Sequence, residues 1–369
     1  MRLTLVIYSL DAGGAERVLS FMANAWASMG REVTVLLMVS SSEPPFYELD
    51  QRVRLPFLGI ANVSTRLLEG FRNNRRRIRV LRDAICDSRP HVVIGFMDTT
   101  NVLTLIATRG LNVPVLVVEH TDPAMYRLGS VWKQLRLWTY RWADRVVVLN
   151  ERTRRCFPNK IRKRTVVIPN PVFVEHHDTS AWSRPVGKSL LVAMGRLVEE
   201  KGFDLLLRAF SRLNSKYTDW DLVILGEGPL RRDLESLRDA LGLSGRVHLP
   251  GKFRNPHAIL RQGDLFVLSS RQEAFPLALC EAMACGLPVI STEYHEGVHE
   301  IVREGIDGVI VPAGNADALA AAMDRLMADR EERKRLASRA VEVSQRFSPE
   351  KCMAMWETLL KETAGKISS

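Results

Sequence analysis

Short apolar runs with no polar alternation recur along this chain, and each is followed by a stretch of helical periodicity. LTLVIYS leads into an expected helix from about Ala15 to Met29, and EVTVLLMV follows. HVVIGF, VPVLVVEH and DRVVVLN come next. A second series then begins: SLLVAMGR, DLVILGEG, RVHLPG, DLFVLSS, LPVIST and GVIVPAG. A strand that is apolar at successive positions must be covered on both faces, as in a parallel sheet flanked by helices. Two successive βα series therefore predict an α/β chain of two doubly wound domains. At 369 residues the chain is long enough for two cores. The expected division is a domain over 1–170, a polar, proline-rich linker over 171–187 and a second domain over 188–347. A C-terminal helix over 348–369, opened by Ser348-Pro349, could pack back on either domain, the N-terminal one included.

The opening MRLTLVIYSLDAGGAE has the look of a secretion leader. Its apolar run from Leu3 to Leu10 is short and interrupted, however, and leads straight into a Gly-Gly turn, so it reads as a first strand. No window holds 18 consecutive apolar residues, which predicts no membrane-spanning helix. The five cysteines (86, 156, 280, 285 and 352) form no CxxC pair and suit plain thiols in a reducing cytosol. His176-His177-Asp178 has no further ligand to complete a metal site and reads as solvated linker. The net charge of +10 is one-sided. Residues 1–180 hold 26 Lys and Arg against 16 Asp and Glu, and residues 181–369 hold 26 against 26. The excess predicts that the first half faces something anionic.

In open α/β sheets ligands bind beyond the carboxyl ends of strands, so motifs at those ends are expected to converge on a cleft between the two domains. After the first strand, Gly13 and Gly14 would let backbone N–H groups approach an anion at a helix start, although tight-turn glycines fit the spacing equally well. GRLVEEKG places Arg196 and Lys201 five apart on one loop, suited to a diphosphate or simply to a charged surface. Neither glycine cluster completes GxGxxG, since Arg231 stands where the third glycine of the second would be. Trp182 replaces the first glycine of a P-loop ending at Gly187-Lys188-Ser189, which excludes that class of nucleotide site. His120, just past VPVLVVEH, is placed either to hydrogen-bond a substrate hydroxyl or to be satisfied in the core. Thr99 and Asn101 suit a sugar or phosphate, or the cap of the next helix.

RQEAFPLALCEAMACGLPVI, residues 271–290, sets Glu273 and Glu281 around an otherwise apolar segment. Carboxylates in that company must be paired or hydrogen-bonded. With the GRLVEEKG loop and the N-terminal glycine pair, this E-x7-E element resembles the retaining enzymes of glycosyltransferase family 4, and the resemblance covers essentially the whole chain. It implies a GT-B fold, two Rossmann-like domains facing across a cleft. By the same analogy Glu281 would bind the ribose of a nucleotide-sugar donor, and Glu273 would contact the transferred sugar. Arg196 and Lys201 would hold the diphosphate, Gly13 and Gly14 would approach it from the other domain, and His120 would lie near the reaction centre. Backbone amides at Phe275, Pro276, Leu277 and Ala278 would add to the anion site. The resemblance also implies no metal or other cofactor, and no DxD-type motif stands near a strand end.

The segment RLLEGFRNNRRRIRVLRDAI places Arg72, Arg75, Arg76, Arg79 and Arg82 on one helical face, the pattern of a membrane-surface element. Trp132, Leu135, Trp138 and Trp142 at helical spacing read as core. The pattern AGGAERV, FMDTTN and VEH is similar to bacterial enzymes that extend glycans on polyprenyl diphosphate, N-acetylgalactosaminyltransferases among them. The partners implied are a nucleotide-sugar donor, a polyprenyl-diphosphate-linked acceptor and an anionic membrane surface at the cytoplasmic face. Nucleic acid is not among them, because no binding motif is present. The alternatives are an epimerase of UDP-N-acetylglucosamine on the same fold and a non-catalytic anionic-lipid-binding protein.

Overall fold

The computed structural model describes residues 1–40, 44–61, 67–125, 128–174 and 182–365, without the side chains of 67–72. His176-His177-Asp178 lies outside the described residues. The chain divides into two compact units, one formed by 1–170 with 350–369 and the other by 171–349.

The first unit opens with β1 (Arg2–Ile7), α1 (Gly14–Ser28), β2 (Glu32–Leu37), α2 (Leu67–Ser88) and β3 (Val92–Phe96). It continues through α3 (Asp98–Ala107), β4 (Val115–Glu119), α4 (Ser130–Thr139) and β5 (Arg145–Val148), then α5 (Glu151–Arg155), α6 (Asn159–Arg162) and β6 (Thr165–Val167). All six strands are parallel, in the order β2-β1-β3-β4-β5-β6. Leu3 stands between Val33 and Val92, and the middle of each central strand is fully buried, as the continuous apolar runs require. β6 has no counterpart in the sequence reading; it is three residues at the sheet edge and only partly buried. On one face α2 packs on α3 and α3 on α4.

The second unit runs through β7 (Ser189–Met194), α7 (Phe203–Ser211), β8 (Trp220–Leu225), α8 (Arg231–Ala240), β9 (Val247–Gly251) and α9 (His257–Leu260). Then come β10 (Leu265–Leu268), α10 (Leu277–Ala284), β11 (Val289–Glu293), β12 (Gly308–Pro312), α11 (Ala316–Ala328), α12 (Arg330–Ala340) and α13 (Val343–Arg346). Its parallel sheet has the order β12-β11-β10-β7-β8-β9. The last helix, α14 (Pro349–Ala364), belongs to the first unit. There the ring of Trp356 meets Trp26 edge-on at 6.0 Å. Trp26 Nε1 donates to Glu357 Oε1 at 3.0 Å, and Arg31 pairs with the same carboxylate. Among the described residues no helix is long and apolar enough to cross a membrane.

Candidate functional site

In the second unit β7 pairs with both β8 and β10, so the strand order reverses between β7 and β10. Such a reversal splays the connections apart and leaves a crevice at the carboxyl ends. Lys201, from the loop after β7, and Glu273, from the loop after β10, meet there. Lys201 Nζ lies 2.6 Å from Glu273 Oε1, and Ser270 Oγ donates to the same oxygen at 2.7 Å. The Glu273 side chain is only 8% exposed, so these two donors are what make its charge tolerable. His295 holds the same loop from behind. Gly297 N donates to His295 Nδ1 at 2.9 Å, which leaves the proton on Nε2 to be donated to the Glu273 carbonyl at 2.7 Å.

Close backbone approach makes this arrangement possible. Gly226, just past β8, has φ +146°, and a Cβ there would fall 1.9 Å from the Gly195 carbonyl. Gly202, with φ +62°, would collide at 2.2 Å with the Ser269 carbonyl. Only glycine suits either position. Arg196 is exposed, and among the described residues it makes no ion pair.

Helix α10 begins beside this pair without a side-chain cap. A helix start carries a partial positive charge, but the Leu279 amide donates to Pro276 O at 3.1 Å, within the turn itself. The four residues assigned to amide donation do not contribute alike. Pro276 has no N–H to give, Phe275 is buried edge-on against Phe347 at 5.3 Å, and the Leu277 amide already donates to Phe275 O at 3.0 Å. Glu281, on α10, is buried, and His257 Nε2 stands 3.6 Å from its Oε2 with no exposure of its own. Sequence reasoning missed His257, because α9 is four residues long and offers no periodicity to mark it. Lys201, Glu273 and Ser270 thus meet at the reversal, next to the uncapped start of α10.

The first unit has its own order reversal, between β1 and β3. Gly13 caps α1 in an extended conformation, and the Glu16 carboxylate lies directly over it, where a Cβ would meet Oε2 at 2.1 Å. Past β3, Met97 adopts φ 73°, a strained value for a side chain. Thr99 is half-buried, its amide held by Asp98 Oδ1 at 2.6 Å. Asn101 departs from the expected ligand role. It is fully buried, with Nδ2 donating to Val118 O at 2.9 Å and to the Tyr140 hydroxyl at 3.0 Å. The same hydroxyl donates to Glu119 Oε2 at 2.9 Å, and buried Arg136 stands 3.6 Å from that oxygen. Burial raises the pKa of Glu119 against the lowering pull of Arg136.

His120 stacks on Phe96 with ring centroids 5.8 Å apart. Its Nε2 is inaccessible and has no hydrogen-bond partner among the described residues, and burial pushes its pKa down to about 4. The imidazole is therefore neutral near pH 7.

On α2, Arg75, Arg76 and Arg79 are exposed while Leu81 and Ile85 are buried. The side chain of Arg72 lies outside the described residues. Arg82 does not share their freedom; its guanidinium donates to Ala107 O at 2.7 Å and Arg109 O at 2.8 Å, closing the end of α3. Core packing accounts for Trp132, Leu135 and Trp142 but not for Trp138, which is 49% exposed.

Residues 12–176 match the model described as Glycosyltransferase Family 4, and residues 177–343 match the one described as Glycosyl transferases group 1. The paired doubly wound sheets and these matches define a glycosyltransferase of the GT-B class. The chain belongs to glycosyltransferase family 4, with a group 1 transferase unit as its second half. It is 28% identical over 363 residues, 98% of this chain and 99% of the relative, to a Campylobacter jejuni α-1,4-N-acetyl-D-galactosaminyltransferase. That relative is named for GalNAc-α-(1→4)-GalNAc-α-(1→3)-diNAcBac-PP-undecaprenol. Sucrose-phosphate synthase from Thermosynechococcus elongatus shares the fold with a TM-score of 0.82 at 20% identity, over 98% of each chain. Anabaena HepE, solved in complex with UDP and glucose, gives 0.78 at 19% identity, over 97% of this chain and 99% of that one.

Proposed function

We propose that this transferase moves a hexose or N-acetylhexosamine from a nucleotide sugar, preferably a UDP-sugar, to a glycan carried on a polyprenyl diphosphate, with retention. The observation that carries this reading is the Lys201–Glu273 pair at the β7/β10 reversal, beside the uncapped start of α10. As the bond between the sugar C1 and the diphosphate oxygen breaks, its electron pair goes to that oxygen. Arg196, Lys201 and the α10 amides stabilise the charge where it develops. The acceptor hydroxyl attacks C1 from the same face, and its proton goes to the departing diphosphate. Glu273 holds hydroxyls of the sugar, Glu281 holds the ribose, and neutral His120 lies near the reaction centre. This assignment involves no metal. The acceptor class rests on the Campylobacter relative, and the choice of UDP on the HepE complex. The enzyme would work at the inner face of the membrane, with Arg75, Arg76 and Arg79 towards anionic lipid.

The test is nucleotide release from a panel of UDP-, GDP- and ADP-sugars, with and without a polyprenyl-diphosphate-linked glycan. Release from one donor that rises sharply with the lipid acceptor supports the proposal. Release indifferent to that acceptor removes the lipid-linked assignment. An isomerised sugar from donor alone would mean an epimerase.

A further inference from the structure

The positive charge of the chain is concentrated more narrowly than in one half. Residues 130–164 contain 11 Lys and Arg against 2 Asp and Glu, so this segment alone accounts for +9 of the net +10. Several of these cations are spent internally: Arg136 faces Glu119, Arg152 pairs with Asp122 and Arg154 with Glu151. Lys133, Arg141, Lys160 and Lys163 are exposed and have no carboxylate partner among the described residues.

Between α4 and α6 lies a groove of about 640 Å³. Leu135, Leu137, Trp138 and Ile161 line it, and Arg141 and Lys160 stand on its rim. Val131, Leu135 and Trp138 recur at i, i+4 and i+7 and so share one face of α4. Val131 is 69% exposed and Trp138 49%, in a unit whose other tryptophans on this face are at least half covered. The Trp138 ring is held rather than loose. It lies 4.3 Å from Trp142, and Arg109 sits over the Trp142 ring at 4.8 Å.

We infer that the α4–α6 face is a docking surface for an anionic phospholipid bilayer. A dissolved nucleic acid could stack on Trp138 but gives no reason to expose aliphatic Val131 beside it. A bilayer interface takes both, with indole and aliphatic groups at headgroup depth and long basic side chains reaching phosphate. Because α2 packs on α3 and α3 on α4, the three exposed arginines of α2 lie in the same helical layer. The inference deepens the proposed function by moving the main membrane contact from α2 to the α4–α6 groove.

The experiment uses the full chain and vesicles that contain neither donor nor acceptor, so its outcome is independent of whether transfer occurs. Co-sedimentation is measured with phosphatidylcholine vesicles and with vesicles that also contain phosphatidylglycerol. The wild type should sediment only with the anionic vesicles and be released by salt. Arg141→Gln, Lys160→Gln and Lys163→Gln together should weaken partitioning about 100-fold, at roughly a fivefold loss for each charge removed. Trp138→Ser should weaken it on both the original and the charge-depleted background, with UDP binding unchanged. Quenching of tryptophan fluorescence by brominated lipid should fall in Trp138→Phe. Equal binding to both vesicle types, or binding lost only when Arg75, Arg76 and Arg79 are replaced, would overturn the inference. So would capture of an oligonucleotide without capture of vesicles.

Discussion

Replacing His120 with phenylalanine should make the first unit less sensitive to acid. In the fold the imidazole stays neutral down to about pH 4, because burial penalises the cation. In the unfolded chain it takes up a proton at its ordinary value near 6.5. Between these values the unfolded state binds more protons than the folded one, so stability falls as pH is lowered and rises as it is raised. A displacement of about 2.5 units corresponds to about 3 kcal/mol, absent above pH 6.5 and fully developed near pH 4. Buried Glu119 and Asp98 act in the opposite sense, since burial raises their pKa values and protonation in acid relieves the cost of their charge. The quantity to measure is therefore the difference between wild type and His120→Phe. Urea unfolding at several pH values from 8 to 4.5 should give a constant difference above 6.5 and a divergence of about 2–3 kcal/mol by pH 4.5, with the wild type losing more. An NMR titration of the imidazole proton checks the cause directly. A midpoint near 6.5, or a difference that does not change with pH, would refute the account of a desolvated neutral ring.

Lys201→Ala and Arg196→Ala should both slow transfer, but only the former should destabilise the second unit, by about 1–2 kcal/mol, because it leaves Glu273 without its cation; the partial exposure of Lys201 keeps the loss below that of a fully buried pair. Equal unfolding midpoints for the two variants would contradict the pairing. His257→Phe should raise the dissociation constant for the donor with little change in kcat, and His257→Gln should recover part of the loss, both readable by calorimetry and steady-state kinetics; a changed kcat at constant donor affinity would reject a positioning role for His257. Asn101→Ala should cost about 1–3 kcal/mol in urea unfolding by removing its buried hydrogen bonds to the Val118 carbonyl and the Tyr140 hydroxyl, while leaving the KM for the acceptor unchanged.

The parallel sheets were legible because buried strands must be apolar at every position, and LTLVIYS or DLFVLSS has no other economical reading. Where that condition lapses, as at half-covered β6, the pattern lapses too. Glu273 and Glu281 announced themselves as carboxylates out of place. Lys201 stood out as well, but not as the partner of Glu273, 72 residues away, and His257 sits in a single helical turn with no spacing to betray it. Asn101 and Arg82 looked available for ligand or lipid because polar residues at helix ends usually are. Only packing reveals that Tyr140 and the end of α3 have already claimed them. Trp138 shows the converse, a residue whose spacing says core and whose surroundings leave it in water.

The return of α14 to the first unit has a consequence for how the protein is made. Residues 1–170 leave the ribosome well before the helix that closes over Trp26, with the whole of 171–349 made in between. Residues 171–349 form one uninterrupted unit, so the part begun second is the first whose whole sequence is available to fold. Until Trp356 has emerged, the indole of Trp26 faces water, or whatever chaperone attends the growing chain.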